Sequence, residues 1–238
     1  MLANWRPWNR AAGASTGVFV FDGSGLHVRT VTLEFAGLAT RFAPGPDGNL
    51  WVIGVESHWL QDQTRECYLL HKFSPEGKRL ASLSNCLETE QPGPGGRPLS
   101  SFSPLREETA RGHLFVHEGL IHHVLPVSRR LRIFRTDGAL VRDVALIPPP
   151  SSELLAPCGL KADQASQRIW RIVPLPEGRF LVEWLHAEKA GTAGERRTTF
   201  LAVHGADGSP ITAAADPPRR PAIQVACAGE GKAWFLHL

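Results

Sequence analysis

Hydrophobic and polar positions alternate with period two along much of this 238-residue chain, and turns ending in glycine interrupt the alternation at regular intervals. Alternation on both sides of a glycine turn predicts β-hairpins, because successive strand side chains point to opposite faces. One recurring unit has an aromatic residue, a turn ending in Gly and then an alternating segment. It reads Phe21-DGSG-LHVRTVTL, Phe73-SPEG-KRLASL, Phe134-RTDG-ALVRDVAL and His204-GADG-SPITAA. After the glycine the first and third copies agree closely: Val28, Arg29, Val31 and Leu33 match Val141, Arg142, Val144 and Leu146. A second unit lies between these copies: RFAPGPDG-NLWVIG, GHLFVHEG-LIHHVL, RIVPLPEG-RFLVEW and QVACAGEG-KAWFLH. The eight turn glycines are Gly25, Gly48, Gly77, Gly119, Gly138, Gly178, Gly208 and Gly231, and seven follow an acidic residue. Such turns need a residue at positive φ, which Gly adopts without steric cost, and an adjacent Asp can accept nearby N–H groups.

Two hairpins in series make a four-stranded meander, strands A to D, which is the blade of a β-propeller. Complete blades fall at about 38–84, 110–147 and 168–214. The remaining pieces complement each other: a C–D hairpin at 18–34 and an A–B hairpin at 222–238. The expected fold is therefore all-β, a propeller of four four-stranded antiparallel blades, the last closed by the N- and C-terminal strands. Closure of this kind removes exposed strand edges. The expected organisation is an N-terminal arm, residues 1–16, and a single propeller domain, residues 17–238.

Segments such as PDGNLWVIG and HKFSPEGKRL resemble the repeats of bacterial six-bladed and NHL-type propellers and of streptogramin-lyase-like propellers. The resemblance covers nearly the whole chain as a repeat pattern, and it implies a propeller fold. The families it resembles carry more blades than this chain has room for. A gene truncated from a larger propeller, or a ring shared between two chains, is the alternative to a four-bladed monomer.

Composition adds class boundaries. Hydrophobic residues make up 42% and charged residues 21%, as in an ordinary globular protein, and the 23 Gly and 19 Pro suit many tight turns. The net charge of +3 comes without long runs of like charge, so a nucleic-acid surface is not expected. No apolar stretch reaches the length of a membrane span, and the N-terminus lacks the apolar run of a signal peptide. The expected location is cytoplasmic, or exported if a leader has been removed. Cys67, Cys86, Cys158 and Cys227 form no CxxC pair, and they read as four buried thiols. A Cys86–Cys158 disulfide is the alternative for an exported chain.

In a propeller the B–C and D–A connections share the face at the channel mouth, and here they hold the irregular sequence: 55–66, 84–109, 148–168 and 187–197. Binding usually resides in long loops on a rigid scaffold. The innermost strand begins at the same mouth. Seven residues before each A–B glycine stand Arg41, Gly112, Arg171 and Gln224, with His113 beside the gap at Gly112. Arg41, His113, Arg171 and Gln224 are the ligand-binding candidates, a polar collar suited to a carboxylate or phosphate. Glu56, His58, His186, Glu188 and His237 lie where strand B ends, and are the weaker candidates for a metal or for acid–base work. Streptogramin lyases are similar in general terms, with His and Glu at the propeller mouth. His122 and His123 are neighbours in one strand and point to opposite faces, so packing is their expected role. Trp51, Trp170, Trp184 and Trp234 read as core.

Motifs for a nucleophile elbow, a phosphate loop, a zinc protease or an EF-hand are absent from the sequence. The expected function is a non-catalytic binding module for a protein or a small anionic ligand, without a cofactor. The alternative is a propeller lyase or hydrolase using a divalent metal at the channel mouth.

Overall fold

A computed structural model of the chain describes residues 16–56, 66–85, 112–149, 165–188, 196–215, 223–229 and 232–237. Among the described residues every regular element is a strand, apart from a single 3-10 turn at Pro176–Gly178. The strands β1 (Thr16–Phe21) and β2 (His27–Leu33) form a two-stranded sheet. A four-stranded meander follows, with β3 (Gly37–Pro44), β4 (Leu50–Glu56), β5 (Tyr68–Phe73) and β6 (Arg79–Asn85) in chain order. A second contains β7 (His113–His117), β8 (Leu120–Leu125), β9 (Arg130–Phe134) and β10 (Leu140–Ala145). A third contains β11 (Ala165–Pro174), β12 (Phe180–Glu188), β13 (Arg196–His204) and β14 (Pro210–Ala215). Finally, β15 (Ile223–Gly229) and β16 (Lys232–His237) form another two-stranded sheet. The all-β class and the three meanders are as the glycine spacing predicts. The first and last hairpins are each separate two-stranded sheets. The chain divides into two compact units, Met1–Ser128 with Arg132–Arg142, and Arg129–Leu131 with Asp143–Leu238.

The turns have the predicted chemistry. All seven turn glycines among the described residues have positive φ, from Gly25 to Gly208. In the C–D turns a backbone N–H at the first position reaches the residue four further on, and the glycine N–H returns to that first residue. Ser74 N donates to Lys78 O at 2.8 Å, and Gly77 N donates to Ser74 O at 2.9 Å. The same pair of bonds recurs at Asp22, Arg135 and Gly205. Acidic side chains finish the turns: the Asp137 carboxylate accepts from Ala139 N at 2.9 Å, and that of Asp207 from Ser209 N at 3.0 Å. These backbone N–H bonds hold both carboxyls below the usual carboxylate range.

In the first unit, strand alternation builds a core on both faces of the β3–β6 sheet. On one side Val52 and Phe73 join Val18, Val31, Leu33, Phe35 and Ala39, so this face packs on the β1–β2 hairpin. On the other side Trp51, Ile53 and Leu70 meet Ile121 and Phe134 of the next meander. Neighbours on β4 thus serve opposite cores, and Trp51, Val52 and Ile53 are all fully buried. Lys72 ties turns of two meanders together: its ammonium donates to Thr136 O at 2.6 Å and pairs with Asp47 at 2.8 Å.

In the second unit Trp184 and Phe200 stack with ring centroids 6.4 Å apart, and both are fully buried. His204 stands where the other repeats carry Phe. Its Nε2 accepts from Trp184 Nε1 at 3.1 Å, which leaves the Nδ1 hydrogen to bond Gly208 O at 2.9 Å. A neutral imidazole therefore fills an aromatic position and fastens its own turn at once.

Two of the turn glycines meet preceding chain in a repeating way. Gly77 meets the end of β2, where Glu34 N donates to Gly77 O at 2.8 Å. Gly208 meets the end of β10 in the same manner, with Ile147 N donating to Gly208 O at 3.0 Å. A Cβ on either glycine would overlap a backbone carbonyl oxygen, of Thr32 in one case and Ala145 in the other. Gly138 occupies the corresponding position against Leu83 of β6.

Candidate functional site

The first strands of two meanders, β3 and β11, carry a feature that alternation alone would not place. In β3 the pairing with β4 slips between Ala39 and Arg41, so Thr40 is an extra residue and Arg41 faces Ile53. In β11 the pairing with β12 slips between Ile169 and Arg171, so Trp170 is extra and Arg171 faces Glu183. These bulges stand at the same distance before their turn glycines, one in each unit. A bulge bends the strand and re-aims the side chain beside it. The packing shows the change of parity: Ala39 and Phe42 join one cluster although three residues apart.

The two arginines have different surroundings. Arg41 is exposed, and its guanidinium donates to Thr40 O at 3.0 Å. Arg171 is half-buried, with its Nε 3.8 Å from a carboxylate oxygen of the buried Glu183. A carboxylate so placed offsets part of the charge of Arg171, whereas Arg41 faces a hydrocarbon side chain across its ladder. His113 opens β7 opposite Val124 and is half-buried. Gln224 lies in β15 opposite Leu236.

The metal or acid–base candidates are dispersed in their environments. Glu56 ends β4, and its carboxylate is ion-paired with Arg79. His186 lies in β12 opposite Gln167 and Thr198, and is fully buried. Glu188 and His237 lie near the ends of β12 and β16, opposite Ala165 and Ile223. His58 lies outside the described residues, as do most of the long connections. Among the described residues no group of three His, Cys, Asp or Glu side chains is placed to hold a metal ion.

The histidine pair behaves as neighbours in a strand should. His122 stacks on Phe115 at 4.8 Å between centroids, while His123 Nδ1 meets Ser84 Oγ at 3.0 Å. His71 forms a related buried pair, with no mark in its local sequence. Its Nε2 lies 3.2 Å from Gly54 O and 3.1 Å from Tyr68 O, so Nε2 carries the hydrogen and Nδ1 accepts from Ser82 Oγ at 3.0 Å. Burial pushes His71 down to about 4 and His123 down to about 3, so both rings are neutral. Trp51 and Trp184 are core, whereas Trp170 is the half-exposed bulge residue of β11. The side chain of Trp234 lies outside the described set.

One cysteine corrects the reading of four thiols: Cys67 is disulfide-bonded. Cys86 and Cys158 both lie outside the described residues.

These sheets and turns define the class of the molecule: an all-β protein of antiparallel meanders. No protein-family model matches the sequence, and no curated protein matches it. A similar solved structure is that of a protein of unknown function from Bacteroides caccae, with a TM-score of 0.45 and 11% identity. The match covers 85% of this chain and 60% of that one, so the chain spans less than two thirds of that protein's length.

Proposed function

We propose that the meanders are the blades of a small propeller, closed by its terminal hairpins, and that it acts as a non-catalytic binding module. Arg41 is the principal contact for a carboxylate or phosphate group on the ligand. The observation that supports this reading is the matched bulge before Arg41 in β3 and before Arg171 in β11, each the first strand of its meander. Planar guanidinium binds either anion in bidentate fashion. Arg41 is exposed and Arg171 is partly compensated by Glu183, so Arg41 supplies most of the affinity and Arg171 a smaller part. The repeating contacts of Gly77, Gly138 and Gly208 support the blade arrangement, since each sets one turn against the last strand of the preceding sheet. The lyase or hydrolase alternative gains nothing from the environments of Glu56, tied to Arg79, and His186, fully enclosed.

A thermal-shift screen with inorganic phosphate and citrate tests the reading. The wild-type chain gains melting temperature with rising anion, Arg41→Ala loses most of that gain, and Arg171→Ala loses less. An equal response from wild type and Arg41→Ala contradicts the assignment.

A further inference from the structure

Strict alternation would set Arg41 on the face of β3 that carries Ala39, and that face is apolar. Ala39 is 3% exposed and packs in one cluster with Val18, Val52 and Phe73. The extra residue Thr40 moves Arg41 off this face. Arg41 instead stands opposite Ile53 in the ladder, and Phe42 takes the next place against the Ala39 cluster. One added residue thus spares the core a buried guanidinium, whose charge would be costly there. Two tethers then fix where the side chain goes, and both run through Thr40. The Thr40 hydroxyl donates to Ile53 O at 3.4 Å, which ties the bulge to a fully buried position of β4. The Arg41 guanidinium donates through Nη1 to Thr40 O at 3.0 Å. That bond uses Nη1 and leaves the Nε–Nη2 edge to a ligand, two parallel N–H groups matched to two oxygens of one carboxylate or phosphate.

We propose that Thr40 is the positioning residue of the anion site, and that its hydroxyl, by anchoring the bulge, aims the Nε–Nη2 edge of Arg41 before a ligand arrives. The role rests on the reading of Arg41 as the anion contact. Thr40 acts through Arg41 and not on the ligand. A guanidinium already held by its own backbone costs less side-chain entropy to order on binding than a free one. The bulge of β11 has a different tether. Its extra residue, Trp170, has no hydroxyl, and the Nε edge of Arg171 is turned to a carboxylate of the protein, with Nε 3.8 Å from Glu183 Oε2. At Arg41 the residue across the ladder is aliphatic, and the tether engages the other end of the guanidinium. The same bulge therefore offers an anion an edge at Arg41 that Glu183 shares at Arg171.

The test titrates inorganic phosphate and citrate into the full chain and reads an apparent dissociation constant from the rise in melting temperature. Thr40→Val keeps the shape of the side chain and removes the hydroxyl. It should weaken binding roughly two- to tenfold, the contribution of one hydrogen bond. Its melting temperature without anion should stay within a few degrees of the wild type's. Thr40→Ser should restore the wild-type constant. In an Arg41→Ala chain, Thr40→Val should change the residual response no further. Wild-type binding by Thr40→Val, no rescue by Thr40→Ser, or equal weakening with and without Arg41 overturns the role of Thr40. A wild-type chain that responds to neither anion refutes the anion site itself, and the role with it. A last measurement needs no variant, and so stands even where Thr40→Val fails to fold. Nitrogen relaxation of the Arg41 Nε–H in the anion-free wild type should show restricted motion, and a freely rotating guanidinium overturns the proposal.

Discussion

Buried imidazoles give this molecule a pH dependence that can be derived residue by residue. His71 and His123 are each fully buried, and each is bonded through Nδ1 to a serine of β6. Burial is the main cause of their low values, and the charge of Arg132 adds to it at His123. Above about 6.5, the ordinary histidine value, both folded and unfolded chains are neutral at these rings and stability is unaffected. As the pH falls below that, the unfolded chain takes up protons that the folded core refuses. Stability is therefore lost between about 6.5 and about 4 for His71, and on to about 3 for His123. Over the full range His71 contributes about 3 kcal/mol to that loss and His123 about 5 kcal/mol. Urea unfolding at a series of pH values measures it. The double variant His123→Leu/Ser84→Ala removes the bonded pair together, and should flatten the dependence by about one proton. An undiminished slope would mean that His123 titrates in the folded chain as it does unfolded.

The turn glycines separate at the scale of the element, and the separation yields a stability prediction. Gly48 and Gly119 need only their positive φ, since a Cβ there would meet nothing within 4 Å. Alanine at either should cost about 1–2 kcal/mol, the strain of a left-handed backbone. Gly77 and Gly208 need positive φ and contact as well, because a neighbouring carbonyl occupies the space of a Cβ. Alanine there should cost about 4 kcal/mol or more, because the packed sheet must also move. Denaturant titration of the four variants checks the order, and equal losses at Gly77 and Gly48 would remove the special role of the docking turns.

Much of this was legible in the sequence, because a turn that needs positive φ leaves a glycine wherever it occurs. Alternation on either side then fixes which of two cores each side chain enters, as at Trp51 and Val52. The bulges at Thr40 and Trp170 were less legible, since one extra residue changes side-chain parity without a distinctive residue type. The roles of His71 and His204 were not legible, because a polar ring in a core depends on partners in other strands. Ser82 and Trp184 supply those partners, and nothing local to either histidine marks them. Glu183 opposite Arg171 is a similar case, where cross-strand register decides whether a guanidinium is compensated.

At the scale of the whole molecule, the proposed ring depends on its two ends. The β1–β2 and β15–β16 hairpins are each two strands wide, and a hairpin alone is marginal in water. In the proposed propeller each supplies what the other lacks. Function at the mouth would then depend on closure as well as on Arg41, so loss of the last hairpin should abolish the anion response together with the cooperative fold. The most direct measurement is thermal unfolding, followed by near-ultraviolet circular dichroism, of the chain ending at residue 221 beside the full chain. The ring predicts that the shortened chain is insoluble or melts without a cooperative transition, because half of a blade is gone and a strand edge is bare. A sharp transition in the shortened chain, close to that of the full chain, would contradict the ring.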